Sequence, residues 1–334
     1  MFVVTEKAME KRVVMKEGFK CYSLPIKGFL GKSLLQRLVF PQFFIISILL
    51  FVFILVRRRP RVIIGTGGYA SFVPLFLGVL LGIPTIISEQ DSYPGLTTKL
   101  LSRYVTDVHI AHENARHYLK AKRCILSGNP LRDSIFEGKY QDAMEFFNLD
   151  EKKKTVLILG GSHGARSINR VFIEVIKNQA SSEIEYIFQT GKDDYQWIKE
   201  SLKDIKVNVR IFSFIERMNL AYTAADLVFS RAGALATAEI TARGIPSVLI
   251  PYPYATGAHQ EKNARYLEKM GASVMLLDSE LSEEKVKHLL ITLLGDEKRL
   301  KNMEKNALSL CRKDAANKIA LRILSLSRGK RYVS

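Results

Sequence analysis

Four stretches of the chain combine small residues with the groups that bind phosphates and sugars. They are Gly65-Thr66-Gly67-Gly68, Gly160-Gly161-Ser162-His163-Gly164-Ala165, Ser230-Arg231-Ala232-Gly233-Ala234 and residues 254–259. Turns of this kind let backbone N–H groups point at an anion, and where a helix follows, its dipole adds to the attraction. Phosphate is the natural guest. No GK[ST] follows any of them and none has the full GxGxxG spacing, which weakens both a P-loop NTPase and a dinucleotide dehydrogenase. One glycine turn is more often tight packing than a site. Several of them at the carboxyl ends of parallel strands carry more weight, because that edge is where open α/β sheets bind ligands.

The run Ala234, Leu235, Ala236, Thr237, Ala238, Glu239 reads as the first turns of a helix. A carboxylate at Glu239 can accept two ribose hydroxyls from a nucleotide whose phosphates lie at the helix start, or it is a plain acid favouring the dipole; the residues alone leave both open. Gln260 and Asn263 hydrogen-bond sugar hydroxyls or cap a helix. A metal reading fails: His109, His112 and His117 are close in sequence, but Arg116 stands where HExxH needs its second histidine. Only His163, in a glycine turn, is expected to face a cleft.

These turns need strands and helices to hold them. Short apolar runs at 62–64, 85–88, 105–111, 155–159, 186–190, 209–212, 227–229, 247–250 and 272–276 alternate with helical patterns. This is the signature of parallel sheets with helices on both faces. The fold class is α/β with two Rossmann-like domains. Residues 1–132 form the first, the charged, strand-free stretch 133–153 a linker, residues 154–310 the second, and 311–334 a C-terminal helix and basic tail packing back on the first. The 334 residues, 47% hydrophobic and 25% charged, suit about two ordinary domains and exclude disorder. A net charge of +17 draws the surface to anions. No aromatic stacking pattern supports nucleic acid as the partner. Three scattered cysteines with no CxxC spacing argue against a disulfide framework or a zinc site and fit a reducing compartment.

Residues 38–56 contain no charge and are flanked by Arg37 before and Arg57, Arg58, Arg59 and Arg61 after. A span needs about 20 apolar residues; with Pro41 in the first helical turn, about 15 residues or 22 Å remain. A span would also divide strands that belong to one sheet. The favoured reading is a helix packed on the sheet with its outer face in a leaflet and the arginines at lipid headgroups. A buried crossover helix and a true span are the other two.

The segments GTGGYASFVPL (65–75), GIPTIISEQDSYPGLTTKLLS (82–102), SGNPLR (127–132), LGGSHGARSIN (159–169), SFIERM (213–218), SRAGALATAEITARGIPSVLIPYP (230–253) and HQEKNA (259–264) together resemble the MurG family. These are peptidoglycan transferases that add N-acetylglucosamine from UDP-N-acetylglucosamine to lipid I, giving lipid II. The resemblance runs from about residue 2 to 272. It implies a GT-B architecture with the ligand cleft between the domains. It also implies that Arg132, Ser162, Ile215, the run Ala234 to Glu239 and Gln260 bind the UDP-sugar: Ser162 the diphosphate, Ile215 the uracil through its backbone, Glu239 the ribose. Asp91 faces the sugar, where the family usually has Asn, and Ser88 replaces a frequent His. Gly67, Gly68 and Tyr69 lie on the acceptor side.

The family opens with a strand and a GGTGGH-like loop whose His is a candidate base, and nothing here matches it. That implies a start placed downstream or a shortened form, with hydrogen-bonding edges open in mid-sheet. Glu89 is then the one residue nominated as base. Backbone amides and helix dipoles at Ser162 and Ala234 would stabilise the leaving diphosphate without a metal; no cofactor is implied. The expected location is peripheral, on the cytoplasmic face of the bacterial membrane. The alternatives are another UDP-sugar lipid glycosyltransferase, such as a diacylglycerol glycosyltransferase, and a non-catalytic membrane-associated UDP-sugar-binding protein.

Overall fold

Strands covered on both faces must be apolar throughout, and the short apolar runs of this chain fold in that way. The computed structural model describes residues 1–6, 8–26, 34–161, 164–179, 183–205 and 207–329. It divides into two units, Met1–Asn129 with Asp314–Ser334, and Pro130–Lys313.

The first unit holds β1 (Phe2–Thr5), α1 (Ala8–Lys16), β2 (Cys21–Leu24), α2 (Leu34–Arg58), β3 (Ile63–Gly65), α3 (Phe72–Leu80), β4 (Thr85–Glu89), α4 (Leu96–Leu101), β5 (Asp107–Ile110) and β6 (Cys124–Leu126). β1 pairs with β2 in one parallel sheet, and β3-β4-β5-β6 form another in chain order. Among the described residues no pairing joins β1 to β3. Short runs such as Cys21–Leu24 and Cys124–Leu126 carry no periodicity of their own. Pairing with β1 and β5 makes them strands.

Helix α2 corrects the reading of Pro41, which lies inside the helix and not in its first turn. An internal proline costs about 3 kcal/mol. Burial of Phe51, Ile54 and Leu55 against the core offsets this, at about 1.5–3 kcal/mol for each side chain. The opposite face stays apolar and exposed, with Leu49 at 64%, Phe53 at 61% and Val56 at 69%. Over Pro41–Arg58 the helix is long and apolar enough to cross a membrane.

The second unit begins with a 3-10 turn at Asp133–Phe136, followed by α5 (Tyr140–Phe147). Where the sequence sets aside a linker, Ile135, Ala143, Met144 and Phe147 are buried in this unit's core beside Leu220 and Ala221. Then come β7 (Lys154–Leu159), α6 (Arg166–Lys177), β8 (Ile184–Gln189), α7 (Lys192–Ser201), β9 (Val209–Phe212), α8 (Met218–Ala224), β10 (Leu227–Ser230), α9 (Ala234–Ala242), β11 (Ser247–Leu249), α10 (His259–Lys269), β12 (Ser273–Met275), α11 (Glu283–Leu294) and α12 (Glu297–Leu310). All six strands are parallel, in the order β12-β11-β10-β7-β8-β9. Helix α6 covers one face through Ile168, Phe172, Ile173 and Ile176, the spacing of one helical stripe. The last helix, α13 (Ala315–Ser327), belongs to the first unit. There Arg322 Nε donates to the buried Asp107 carboxylate at 2.5 Å.

Candidate functional site

In the second sheet the chain runs outward from β7 through β8 and β9, then returns to β10 on the other side and runs through β11 and β12. The strand order reverses between β7 and β10, and open sheets bind ligands outside the carboxyl ends of the strands at such a point. Two of the four glycine turns leave from there. After Leu159, Gly160 packs so closely that a Cβ would lie 2.5 Å from the Ala165 nitrogen. At Gly164, φ is +78° and a Cβ would lie 2.3 Å from the Thr190 carbonyl oxygen. Only glycine fits at these two positions. Ser162 and His163 lie outside the described residues.

The helices that follow these turns begin without an acid to oppose their dipoles. Helix α6, capped by Ala165, and helix α9, capped by Gly233, have no side-chain cap and no acid in the first turn. By contrast α5, α7, α10, α11 and α12 each carry an acid there. A helix start whose dipole meets no acid suits an anion such as a diphosphate.

Around α9 the predicted residues divide by role. Thr237 is buried and its hydroxyl donates to the Gly233 and Ala234 carbonyls, both at 3.0 Å, so it tightens the first turn. Leu235 is exposed, while Ala234, Ala236 and Ala238 are half-buried. Glu239 Oε2 accepts a hydrogen bond from the Tyr222 hydroxyl at 3.0 Å. Burial pushes the Glu239 carboxyl above its ordinary value, against that hydrogen bond and the nearby Arg132 charge, which lower it. Arg132 is exposed at the start of the 3-10 turn Asp133–Phe136. Gln260 Oε1 accepts from the Tyr252 amide at 2.9 Å, and Asn263 donates to the Ala232 carbonyl at 3.3 Å, so both hold turns in shape. Ile215 is buried, and its amide donates to Gln189 Oε1 at 3.0 Å.

Sequence reasoning missed two residues here. Arg231 is buried, and its guanidinium donates to the Ile250 and Pro251 carbonyls at 3.2 and 3.1 Å, to Asp278 at 2.6 Å and to the Ser167 hydroxyl at 2.8 Å. It thus ties the ends of β10 and β11 to the first turn of α6. Gln189 bridges Gly161 and Ile215. A buried arginine inside a glycine turn was the available signal for the first; nothing local marks the second.

In the first unit, Glu89 is only 4% exposed, and its two carboxylate oxygens accept the amides of Asp91 and Gly95, both at 3.2 Å. Burial raises its pKa from the ordinary carboxylate value. A general base needs an oxygen open to the reacting hydroxyl. Here each oxygen already holds one amide, so the carboxylate also braces its own loop. Gly67, at φ +81°, sits over this carboxylate, and its Cβ would lie 3.1 Å from Glu89 Oε2. Gly68 has open space around it, Tyr69 is partly exposed and Asp91 is half-buried on the same loop system. His109 and His112 are held below the ordinary histidine range by burial, His112 at about 4. Among the described residues no group of three or more His, Cys, Asp or Glu could hold a metal.

A two-unit parallel α/β chain with this phosphate-type edge is the architecture of a nucleotide-sugar glycosyltransferase. Residues 1–110 match the glycosyltransferase family 28 N-terminal domain, and residues 155–319 the C-terminal domain of that family. Among curated proteins, the UDP-N-acetylglucosamine–N-acetylmuramyl-(pentapeptide) pyrophosphoryl-undecaprenol N-acetylglucosamine transferase of Thermodesulfovibrio yellowstonii is 38% identical over 99% of this chain and 91% of its own length. Its counterpart in Flavobacterium psychrophilum is 38% identical over 98% of this chain and 89% of its own. The crystal structure of Acinetobacter baumannii MurG superposes with a TM-score of 0.79 at 25% identity, over 97% of this chain and 90% of that one. A UDP-GlcNAc 2-epimerase from Neisseria meningitidis shares the fold, with a TM-score of 0.66 at 14% identity over 96% of this chain and 90% of that one. The chain belongs to the MurG family of glycosyltransferases.

Proposed function

We propose that this protein transfers N-acetylglucosamine from UDP-N-acetylglucosamine to lipid I, forming lipid II for peptidoglycan. The observation that carries this is the pair of acid-free helix starts of α6 and α9 at the strand-order reversal, with Glu239 further along α9. In this reading the diphosphate lies against the first turns of α6 and α9, the latter opening at Ala234. The ribose hydroxyls reach the Glu239 oxygen not engaged by Tyr222. Because the Ile215 amide is already donated to Gln189, the uracil N3–H meets the segment at a backbone carbonyl. Arg132 adds positive charge near the ribose, and Gln260 and Leu235 border the sugar.

The acceptor hydroxyl attacks the anomeric carbon as the bond to the diphosphate breaks. The configuration inverts, and the hydroxyl proton passes to a base. Charge grows on the departing UDP, and preorganised amides and dipoles stabilise it without reorganising. We read Glu89 as the brace that holds Gly67 and the Asp91–Gly95 loop on the acceptor side.

Direct support comes from transfer of labelled N-acetylglucosamine to lipid I, with diacylglycerol as the competing acceptor; labelling of diacylglycerol alone would overturn the lipid II reading. Replacing Glu239 with Gln is expected to raise the Kd for UDP by about 10- to 100-fold, since hydrogen bonds to a charged group contribute about 1.5–3 kcal/mol. The wild-type affinity falls as pH drops through the raised Glu239 pKa, because protonation removes the charged acceptor. In Glu239→Gln that pH dependence disappears. Calorimetry with UDP across acid pH checks both, and an unchanged pH profile removes Glu239 from the ribose contact.

The exposed apolar face of α2, with Arg57, Arg58, Arg59 and Arg61 exposed at its end, supports a peripheral position on the cytoplasmic face of the membrane. Each arginine near an anionic surface adds about 1 kcal/mol. The double variant Leu49→Glu, Phe53→Glu is expected to lose binding to phosphatidylglycerol vesicles by at least about tenfold in a sedimentation assay, with UDP binding unchanged. Resistance of the wild-type chain to alkaline carbonate extraction would favour the spanning alternative.

A further inference from the structure

The buried side chain of Gln189, at the end of β8, touches two turns at once. Its Nε2 donates to the Gly161 carbonyl at 3.2 Å, and its Oε1 accepts the Ile215 amide at 3.0 Å. Only one orientation of the side-chain amide satisfies both partners, since Ile215 offers a donor and Gly161 an acceptor. The platform beneath is fixed. The Thr190 amide donates to the Phe212 carbonyl at 2.9 Å, and Asn169 donates to the Thr190 carbonyl at 2.9 Å. Gly161, at φ +83°, also accepts from the Gly164 amide at 3.1 Å, so its carbonyl is held from two sides.

We propose that Gln189 is a positioning residue that couples recognition of the nucleobase at Ile215 to recognition of the diphosphate at Gly161 and the start of α6. The inference rests on the UDP-sugar reading of this site. One planar amide spans both turns, so displacement of either weakens the hydrogen bond that holds the other. A ligand that engages both turns therefore depends on Gln189 more than a ligand that engages one. Substitutions separate the two ends: Gln189→Glu keeps an acceptor for Ile215 but loses the donor to Gly161, while Gln189→Met fills the volume and makes neither contact.

The test is calorimetry on the full chain with UDP, uridine and inorganic pyrophosphate. Gln189→Met is expected to weaken UDP by at least about tenfold, and Gln189→Glu to weaken UDP and pyrophosphate by about tenfold while uridine stays within about twofold. A merely structural role lowers the binding stoichiometry and leaves the Kd of the folded fraction unchanged, which overturns the coupling. UDP affinity within about twofold of wild type in both variants also overturns it, as does a Gln189→Glu loss that vanishes in high salt, since that assigns the effect to the added charge. If Gln189→Met does not fold by circular dichroism, the uridine-against-UDP split in Gln189→Glu decides. A wild-type chain that binds neither uridine nor UDP overturns the nucleotide reading itself, and is distinct from every outcome above.

Discussion

Gly164→Ala is expected to raise the Kd for UDP by more than about 100-fold and to lower the stability of the second unit by about 2–4 kcal/mol. Two costs combine. The residue sits at φ +78°, a conformation that costs an L-residue about 1–2 kcal/mol. Its new Cβ would also lie 2.3 Å from the Thr190 carbonyl oxygen and 3.1 Å from the carbonyl carbon. Thr190 cannot yield, because the end of β8 is fixed by Phe212 and Asn169. The turn must move instead, by about 1 Å to reach an ordinary contact, and it carries the first amides of α6 with it. Losing two amide hydrogen bonds to a charged diphosphate, at about 1.5–3 kcal/mol each, weakens binding by more than about 100-fold. Two other glycines serve as a graded control. At Gly161, φ is +83° with nothing within 4 Å of the added carbon, so only the backbone cost applies. At Gly233, φ is −68° and the space is open, so alanine is expected to be close to neutral for folding. Thermal melts and UDP titrations of the three variants should rank Gly164, then Gly161, then Gly233. UDP binding to Gly164→Ala within about threefold of wild type would remove this turn from the diphosphate site.

Much of this architecture is readable from residues alone, because parallel strands and their glycine turns are local signals. The apolar runs at 155–159, 209–212 and 227–229 become strands within a residue of where the pattern puts them. The absence of acids at the starts of α6 and α9 is visible in the sequence as well. Long-range contacts are what the sequence hides. Gln189 is 26 residues from Ile215 and 28 from Gly161, so no spacing rule marks it as a bridge. Glu89 shows a related difficulty: a carboxylate at a strand end has the chemistry of a base, and its hydrogen bonds from the amides of Asp91 and Gly95 are not legible in the sequence. Pro41 misplaces the start of α2 because its local penalty is outweighed by packing further along the same helix.

A far wider separation is that between Asp107 and Arg322, which are 215 residues apart, and the second large effect is expected there. Asp107 is 0% exposed, and its carboxylate takes Arg322 Nε at 2.5 Å and Nη2 at 3.3 Å, with Arg123 Nε at 3.6 Å on the outer side. Asp107→Ala removes the carboxylate that pairs with the nearly buried Arg322 guanidinium, and breaking a buried pair from one side costs about 3–5 kcal/mol. Arg123 is half-exposed and can turn to water, so its share of the loss is small. The same reasoning predicts a rescue. With Arg322→Met added, the buried charge is gone and a side chain of similar length fills its place, so the double variant is expected to be more stable than Asp107→Ala alone. Hydrogen exchange over residues 315–327 and 85–110 reads this locally, where a global melt would mix the two units. A cost below about 1 kcal/mol for Asp107→Ala, or a double variant that is less stable than the single one, would mean that apolar packing through Ile319 and its neighbours, and not the ion pair, holds α13 in the first unit.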